Sequence, residues 1–432
     1  MDMKLIEKLV VGVDKFSTKK RIFLSNIDLV LVVYQESVTF FDPPKDLEFE
    51  VICDKLIESL NSLLVTYDFM AGRLVPSLEN NQRFEIECNG SGVVFAIAKT
   101  TNILNEFKPL ASPKPEFQNL VCFLQDDDEN NKKVEDLPLM LLQLTQFGCG
   151  SLALALKYNH CALDGIGVKQ IEKNLAALTC GGTIDEIPNP DRIIFKARNP
   201  PLIKFPHLEY SKGSENQAFT SRGRVSFNYR MLNSKANLVH LSSLQIASMK
   251  KSSMKEKFAN FSTFVLVAAK TWKARTIASK MEDDCISSIL FPMNVRDIIE
   301  PKAPKGFAGN GTIPAYAQAK AKYLKNSPIY DIAKFVQEGM ERITDEYIRS
   351  SIDWLEVYRG KPCQENSFSF VAWFKLGLED NVFMWGKCIV ATPIASKPGL
   401  VFMLPAEDEG LNIFVDLPEN QAKEFSKIML EP

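Results

Sequence analysis

The sequence predicts a mixed α/β (α+β) fold with two sheet-containing halves joined by a long crossover. Its 432 residues suit two or three domains of roughly 150 residues each. Alternating hairpin patterns and helical patterns recur in both halves, which points to mixed sheets flanked by helices. Between the halves, Pro188, Pro190, Pro200, Pro201 and Pro206 fall within nineteen residues. Proline at that density blocks both helix propagation and central-strand pairing.

Taken in order, Asp28 to Tyr34 is a compact run rich in Leu and Val, of strand or core-helix size. Arg83 to Cys88 alternates polar and apolar, turns at Asn89-Gly90 and resumes as Val93 to Ala98, a hairpin signal. Met140 to Phe147 and Ser151 to Tyr158 form a second hairpin around Gly148-Cys149-Gly150, and acidic Asp126 to Asp136 between the two hairpins is a solvated loop. The crossover spans Ile184 to Asn216. Beyond it come a strand at Gly223 to Arg230, helices at about Ser234 to Lys251 and Thr263 to Lys280, and a buried strand at Ser287 to Met293. Pro314 is expected to open a helical region running to Val357. Strands follow at Phe368 to Phe374, Leu400 to Leu404 and Leu411 to Val415, then an amphipathic helix from Pro418. No repeat of fixed period is present.

Composition narrows the function. Hydrophobic residues make up 46% and charged residues 24%, so the chain can bury a core and is not of the disordered class. Fifty-one Lys and Arg against fifty-three Asp and Glu leave a net charge of −2, without a global field for nucleic acid or an anionic membrane. Neither a signal peptide, an apolar run of about 18 residues, nor a prenylation cysteine is found. Nine scattered cysteines without a Cys-x-x-Cys pair argue against a disulfide framework or a metal site, and the expected location is cytoplasmic. Only three histidines, His160, His207 and His240, are available for imidazole chemistry. Of these, His207 falls in the crossover and His240 in a helical pattern, neither within a recognisable site.

His160 stands just after a strand ending at Tyr158, followed by Cys161, Asp164 and Gly165, with a helix expected from Gly165 to Leu178. Two readings stay open on spacing alone. In one, His160 is a polar loop residue and Asp164 an ordinary N-cap. In the other, His160 is a general base displayed at a strand end, since a neutral imidazole accepts a proton near neutral pH. Cys161 is assigned to packing. Near the other end, Trp373 and the segment Val382-Phe383-Met384-Trp385-Gly386-Lys387 supply indole N–H donors that are either core packing or aimed at an oxygen.

Together these segments resemble the BAHD acyl-CoA-dependent acyltransferases of plants, marked by His-x-x-x-Asp-Gly near mid-chain and Asp-Phe-Gly-Trp-Gly near the end. Pro190-Asp191-Arg192 with Ala197-Arg198-Asn199-Pro200-Pro201 is similar to the family's crossover, and Lys305-Gly306-Phe307-Ala308-Gly309-Asn310 to its Lys-Gly-Tyr-Phe-Gly-Asn stretch. The resemblance implies two chloramphenicol-acetyltransferase-like domains around a tunnel. Residues 1–183 would carry His-x-x-x-Asp-Gly, 184–216 would cross over, and 217–432 would carry the variant terminal motif.

It implies an acyl-CoA donor as co-substrate, no bound cofactor or metal, a small-molecule alcohol acceptor and a monomer. Among residues, it implies His160 as base, Asp164 as holder of the loop, and Trp385 as oxyanion donor. Asn310 and Phe383 would meet substrate. Lys255, Ser262 and Thr263 would meet the CoA, beside a basic cluster with Lys250, Lys251 and Lys257. Gly165, Arg296 and Gly386 would be structural. The run from Lys157 to Cys161 looks most like members acting on phenylpropanoid or ω-hydroxy fatty alcohols.

This chain departs from the motif at Val382 and Met384, where the family has Asp and Gly. The missing carboxylate is expected to leave Arg296 to find Asp297, Glu300 or solvent. That departure keeps two alternatives beside O-acyl transfer: an N-acyltransferase using amines, and a catalytically impaired binding protein.

Overall fold

The computed structural model describes residues 1–12, 20–121, 133–213, 235–257, 260–394, 399–406 and 408–431. The first half contributes β1 (Met3–Val11), β2 (Lys20–Phe23), α1 (Asn26–Leu29), β3 (Tyr34–Phe41), α2 (Phe49–Thr66), β4 (Arg73–Pro76), β5 (Phe84–Cys88), β6 (Val93–Thr100), β7 (Met140–Gln146), β8 (Leu152–Asn159) and α3 (Gly165–Thr179). The crossover carries β9 (Tyr210–Ser211). Then come β10 (Lys235–Leu241), α4 (Ser243–Lys257), α5 (Thr263–Ala278), β11 (Ile286–Asn294), β12 (Thr312–Lys320), α6 (Ala321–Asn326), α7 (Ile329–Glu341) and α8 (Asp345–Tyr358). The tail holds β13 (Lys361–Pro362), β14 (Ser367–Val371), β15 (Val382–Phe383), β16 (Gly386–Pro393), β17 (Leu400–Pro405), β18 (Leu411–Leu417) and α9 (Glu419–Leu430).

Two mixed sheets organise these elements, one in each of two sheet-rich domains. The first runs β1-β6-β7-β8-β3-β16-β15 and the second β10-β18-β17-β14-β11-β12. In the first sheet, β7 and β8 are buried along nearly their whole length because both faces are covered, hence their near-continuous apolar runs. On one face, α2 and α3 bury Leu56, Leu60, Leu63, Ile171 and Leu175 against Leu142, Leu154 and Leu156. In the second domain, α5 is buried almost all round, packed against α7 and α9. A helix apolar on every side must be a core helix.

The two sheets are not closed by sequence halves. After β14 in the second sheet, the chain crosses to the first, where β16 pairs antiparallel with β3, Cys388 opposite Phe41 and Pro393 opposite Ser37. It then returns to the second sheet as β17. The terminal motif therefore belongs to the first sheet, although it lies in the second half of the chain.

Two expectations are corrected. Pro314 opens no helix: it sits inside β12, opposite Pro292 of β11. Because β12 is the edge strand, a missing N–H costs nothing on its solvent side. The helix expected from Ser234 begins at Ser243, after the strand β10 that pairs with β18. The run from Asp28 to Tyr34, of strand or core-helix size, begins within the single turn of α1 and ends at the start of β3. The expected strand at Gly223 to Arg230, and 126–132 of the acidic loop, lie outside the described residues.

One buried charge conflicts with this core. Glu172 of α3 lines the apolar space between helices and sheet with Leu60, Leu63, Met140 and Leu156. Burial, and secondarily the Glu379 carboxylate, push its carboxyl up from 4.5 to about 8. Between those values the folded protein holds a proton that the unfolded chain releases, so this group's contribution to stability falls as pH rises from about 4.5 to about 8. Glu172→Gln is therefore expected to raise the melting temperature at pH 8 and leave it nearly unchanged at pH 4.5, measured by thermal unfolding across pH.

Candidate active site

The site grows from the end of β8. Asn159 is the last strand residue, paired with Tyr34, and its carboxamide oxygen accepts the Cys161 N–H (3.2 Å) to turn the chain sharply. The His160 N–H is tied to the Val33 carbonyl (2.8 Å), which leaves the imidazole half-buried beyond the strand. Cys161 points into the core and burial pushes its thiol up, so it is packing, as expected.

Asp164 then starts α3. Its Oδ1 accepts the N–H groups of Ile166 and Gly167 (both 3.1 Å), the N-cap arrangement. Arg296 grips the same carboxylate with both terminal nitrogens, Nη1 to Oδ2 at 2.8 Å and Nη2 to Oδ1 at 2.9 Å. The Gly311 N–H adds a fifth bond to Oδ2 (2.9 Å). With the carboxylate 2% exposed and both oxygens fully occupied, Asp164 holds the loop and takes no proton from substrate. The expected partners of Arg296, namely Asp297, Glu300 or solvent, are thus replaced by Asp164. Gly165 is closely approached: a Cβ there would stand 2.9 Å from a Leu376 methyl, which would have to shift.

Asn310, expected to meet substrate, is engaged with the His160 imidazole. It is fully buried, and its Oδ1 lies 3.0 Å from His160 Nδ1 while its Nδ2 donates to the His160 carbonyl (2.8 Å). An amide oxygen only accepts, so Nδ1 carries the proton and Nε2 keeps the lone pair a base needs.

Trp385 and Phe383 are corrected as well. Trp385 stacks on Phe383 (4.8 Å between centroids) and meets Phe41 edge-on (5.7 Å), inside the apolar core of the first domain. Two structural rulers place this hairpin away from His160. The Met384 N–H donates to Thr179 at the C-terminal end of α3, whereas Asp164 caps the N-terminal end, about 22 Å off at ~1.5 Å per residue. Along β3, Tyr34 pairs next to His160 but Phe41 pairs with Cys388, seven residues or about 24 Å apart. Trp385 therefore packs and does not stabilise an oxyanion at His160.

Gly386, with a φ of 139°, closes the β15–β16 hairpin in a region side chains disfavour. Val382 is 54% exposed, and Arg296, its expected counterpart, pairs with Asp164 instead.

A second indole, Trp373, belongs to the segment that passes the start of α3. It opens a short 3-10 turn after β14, whose following residue, Leu376, lies against Gly165. Its buried Nε1 makes no hydrogen bond among the described residues. Sequence spacing alone did not rank it above Trp385; a tryptophan directly after an apolar strand, two turns before the hairpin motif, was the available signal.

Ser262 caps α5, its Oγ accepting the Val265 N–H (3.3 Å), with Thr263 as the first helical residue. Lys255 lies on α4, and its side chain falls outside the described residues. Of the other histidines, His207 is buried between Glu209 (2.7 Å) and Ser350 (2.8 Å), where it fastens the crossover to α8. His240 sits at the sheet surface with Asn412 and Asp408. Among the described residues no cluster of His, Cys, Asp and Glu could hold a metal ion, and no helix is long and apolar enough to cross a membrane.

The model of the Transferase family matches residues 1–431. The chain is 31% identical to the acyltransferase GLAUCE of Arabidopsis thaliana, over 98% of this chain and 95% of that protein. It is 28% identical to the omega-hydroxypalmitate O-feruloyl transferase of the same plant, over 98% and 92%. Vinorine synthase has the same fold, with a TM-score of 0.75 at 18% identity, covering 98% of this chain and 96% of the other.

From the placement of the hairpin, Val382→Asp and Trp385→Phe should each leave turnover within about threefold of the parent. Trp385→Phe should lower the unfolding midpoint, since it removes packed core volume. Steady-state rates together with urea unfolding of both variants check this.

Proposed function

Because the chain belongs to the transferase family of acyl-CoA-dependent acyltransferases, the BAHD family, we propose that its O-acyl transfer runs by direct attack with His160 as general base. The single observation that carries this is the His160–Asn310 bond, which puts the proton on Nδ1 and the lone pair on Nε2. His160 Nε2 takes the acceptor hydroxyl proton as that oxygen attacks the thioester carbonyl. The tetrahedral intermediate then collapses, the carbon–sulfur bond breaks, and the departing CoA thiolate takes the proton back from the imidazolium. No covalent enzyme intermediate is needed, only positioning and a base.

The acceptor in this reading is a phenylpropanoid or long-chain alcohol of a plant. The name of the similar omega-hydroxypalmitate O-feruloyl transferase supports that chemistry. Trp373, whose indole N–H, like that of Trp385, has no partner among the described residues and whose segment passes the start of α3, is the donor this reading assigns to the oxyanion. Ser262 and Thr263 at the start of α5, with Lys255 on α4, are assigned to the CoA phosphates, where a helix N-terminus favours anions. A monomer in the cytoplasm completes the reading. The impaired-enzyme alternative loses its main support, since Arg296 is paired with Asp164 and the loss of the motif carboxylate leaves no orphaned charge.

His160→Ala should lower acyl transfer by about 10²–10⁴-fold, the usual worth of a general base, with CoA binding retained. Free-thiol release from an acyl-CoA with a panel of ω-hydroxy fatty acids and phenylpropanoid alcohols measures the loss, and calorimetry measures CoA binding. Turnover by His160→Ala at the parent rate would remove the assignment.

A further inference from the structure

We propose that Asp28 and Arg192 are positioning residues that hold the His160 imidazole in its base-competent tautomer, acting through Asn310. This rests on the reading of His160 as the base. Neither residue is near His160 in sequence, and the general-base step requires neither to touch substrate.

Asp28 closes a capping box in α1: its Oδ2 accepts the Ser25 N–H (2.8 Å) and hydroxyl (2.6 Å), and its own N–H bonds Ser25 Oγ. A residue that only capped this one-turn helix would need no more. Its other oxygen, however, is used across the fold: Oδ1 accepts both the backbone N–H (3.1 Å) and the side-chain Nδ2 (2.8 Å) of Asn310. Arg192 Nε stands 3.4 Å from Asp28 Oδ2, and both side chains are completely buried. The same guanidinium donates through Nη2 to the carbonyl of Ala162 (2.8 Å), two residues past His160, and through Nη1 to Pro190.

The consequence is a matter of hydrogen-bond bookkeeping. An amide nitrogen has two hydrogens, and Asn310 spends one on Asp28 Oδ1 and the other on the His160 carbonyl. Its oxygen is thereby forced toward His160 Nδ1. Were the amide to turn over, its NH₂ would face Nδ1. The ring would then put its proton on Nε2, where the base needs a lone pair. An ionised Asp28 forbids that turn, because the amide oxygen would face a carboxylate oxygen. Arg192 makes an ionised Asp28 tolerable in a fully buried place, and also ties down the loop carrying the imidazole. Asp28, Arg192, Asn310 and His160 come from four separate segments, so the chain of contacts sets the tautomer from outside the site.

The test reads the tautomer directly. With only three histidines in the chain, ¹⁵N-labelled imidazoles can be assigned one by one. The parent should show His160 protonated on Nδ1. In Asp28→Asn, which keeps the shape but adds a donor and removes the charge, the proton should move partly or wholly to Nε2. There kcat should fall at least tenfold with KM for acyl-CoA within about twofold, and the acidic limb of the pH profile should move to lower pH.

Ser25→Ala, which loses only the cap partner, should lower the melting temperature yet leave the tautomer unchanged. Should Asp28→Asn fail to fold, Arg192→Lys, which keeps a cation but loses the fork to Ala162, carries the same readouts. An unchanged Nδ1 tautomer with kcat within threefold of the parent, in whichever variant folds, overturns the proposal. Because the tautomer is read without turnover, loss of the general-base reading through an active His160→Ala would be seen separately.

Discussion

The Asp164 carboxylate is the point on which the site depends. Five donors converge on it: two from the first turn of α3, two from the Arg296 guanidinium and one from the Gly311 backbone. Two of these come from the loop that carries His160, and three from the segment between β11 and β12 of the other domain. Each set would leave the carboxylate or the guanidinium under-compensated without the other, and a buried charge left unpaired is strongly unfavourable. The interlock therefore fixes the two domains against each other at the place where the imidazole emerges. It also explains why an aspartate four residues after the histidine has no acid–base role: every lone pair is already engaged.

A second constraint follows from the excursion of the chain into the first sheet as β15 and β16. The hairpin joins the far edge of that sheet and the far end of α3, so its aromatic cluster of Phe383, Trp385 and Phe41 packs this excursion into the core of the first domain. The segment leading to it, from Trp373 to Leu376, passes the near end of the same helix. Helix α3 thus meets the His160 loop at its first turn and the hairpin at its last. Val382 and Met384 fall at the hairpin end of the helix, away from His160.

The strand, tight turn and helix start around His160 were legible in the sequence because each rests on local chemistry: β-pattern, N-cap carboxylate and glycine within a few residues. The mixed α/β class and the proline-rich crossover were legible for the same reason. What escaped were facts set by contacts far apart in the chain. Arg296 was expected at Asp297 or Glu300, and its true partner lies 132 positions away. Trp385 was placed at the oxyanion because spacing does not say which sheet a hairpin joins. Asn310 was recognised as a site residue, but its bonds to Asp28 and His160, 282 and 150 positions distant, were not legible in the sequence. Pro314 misled because proline suits a first helical turn and an edge strand equally well, and only the sheet order distinguishes them.

The most direct measurement of the central claim is a double-mutant cycle across Asp164→Asn and Arg296→Gln, read on both kcat/KM and unfolding free energy. If the pair is one interlock, each single change should remove most of what the double change removes, with a coupling of about 1–3 kcal/mol in stability. Additive losses, with coupling below about 0.5 kcal/mol, would contradict the account and show that the two residues act independently.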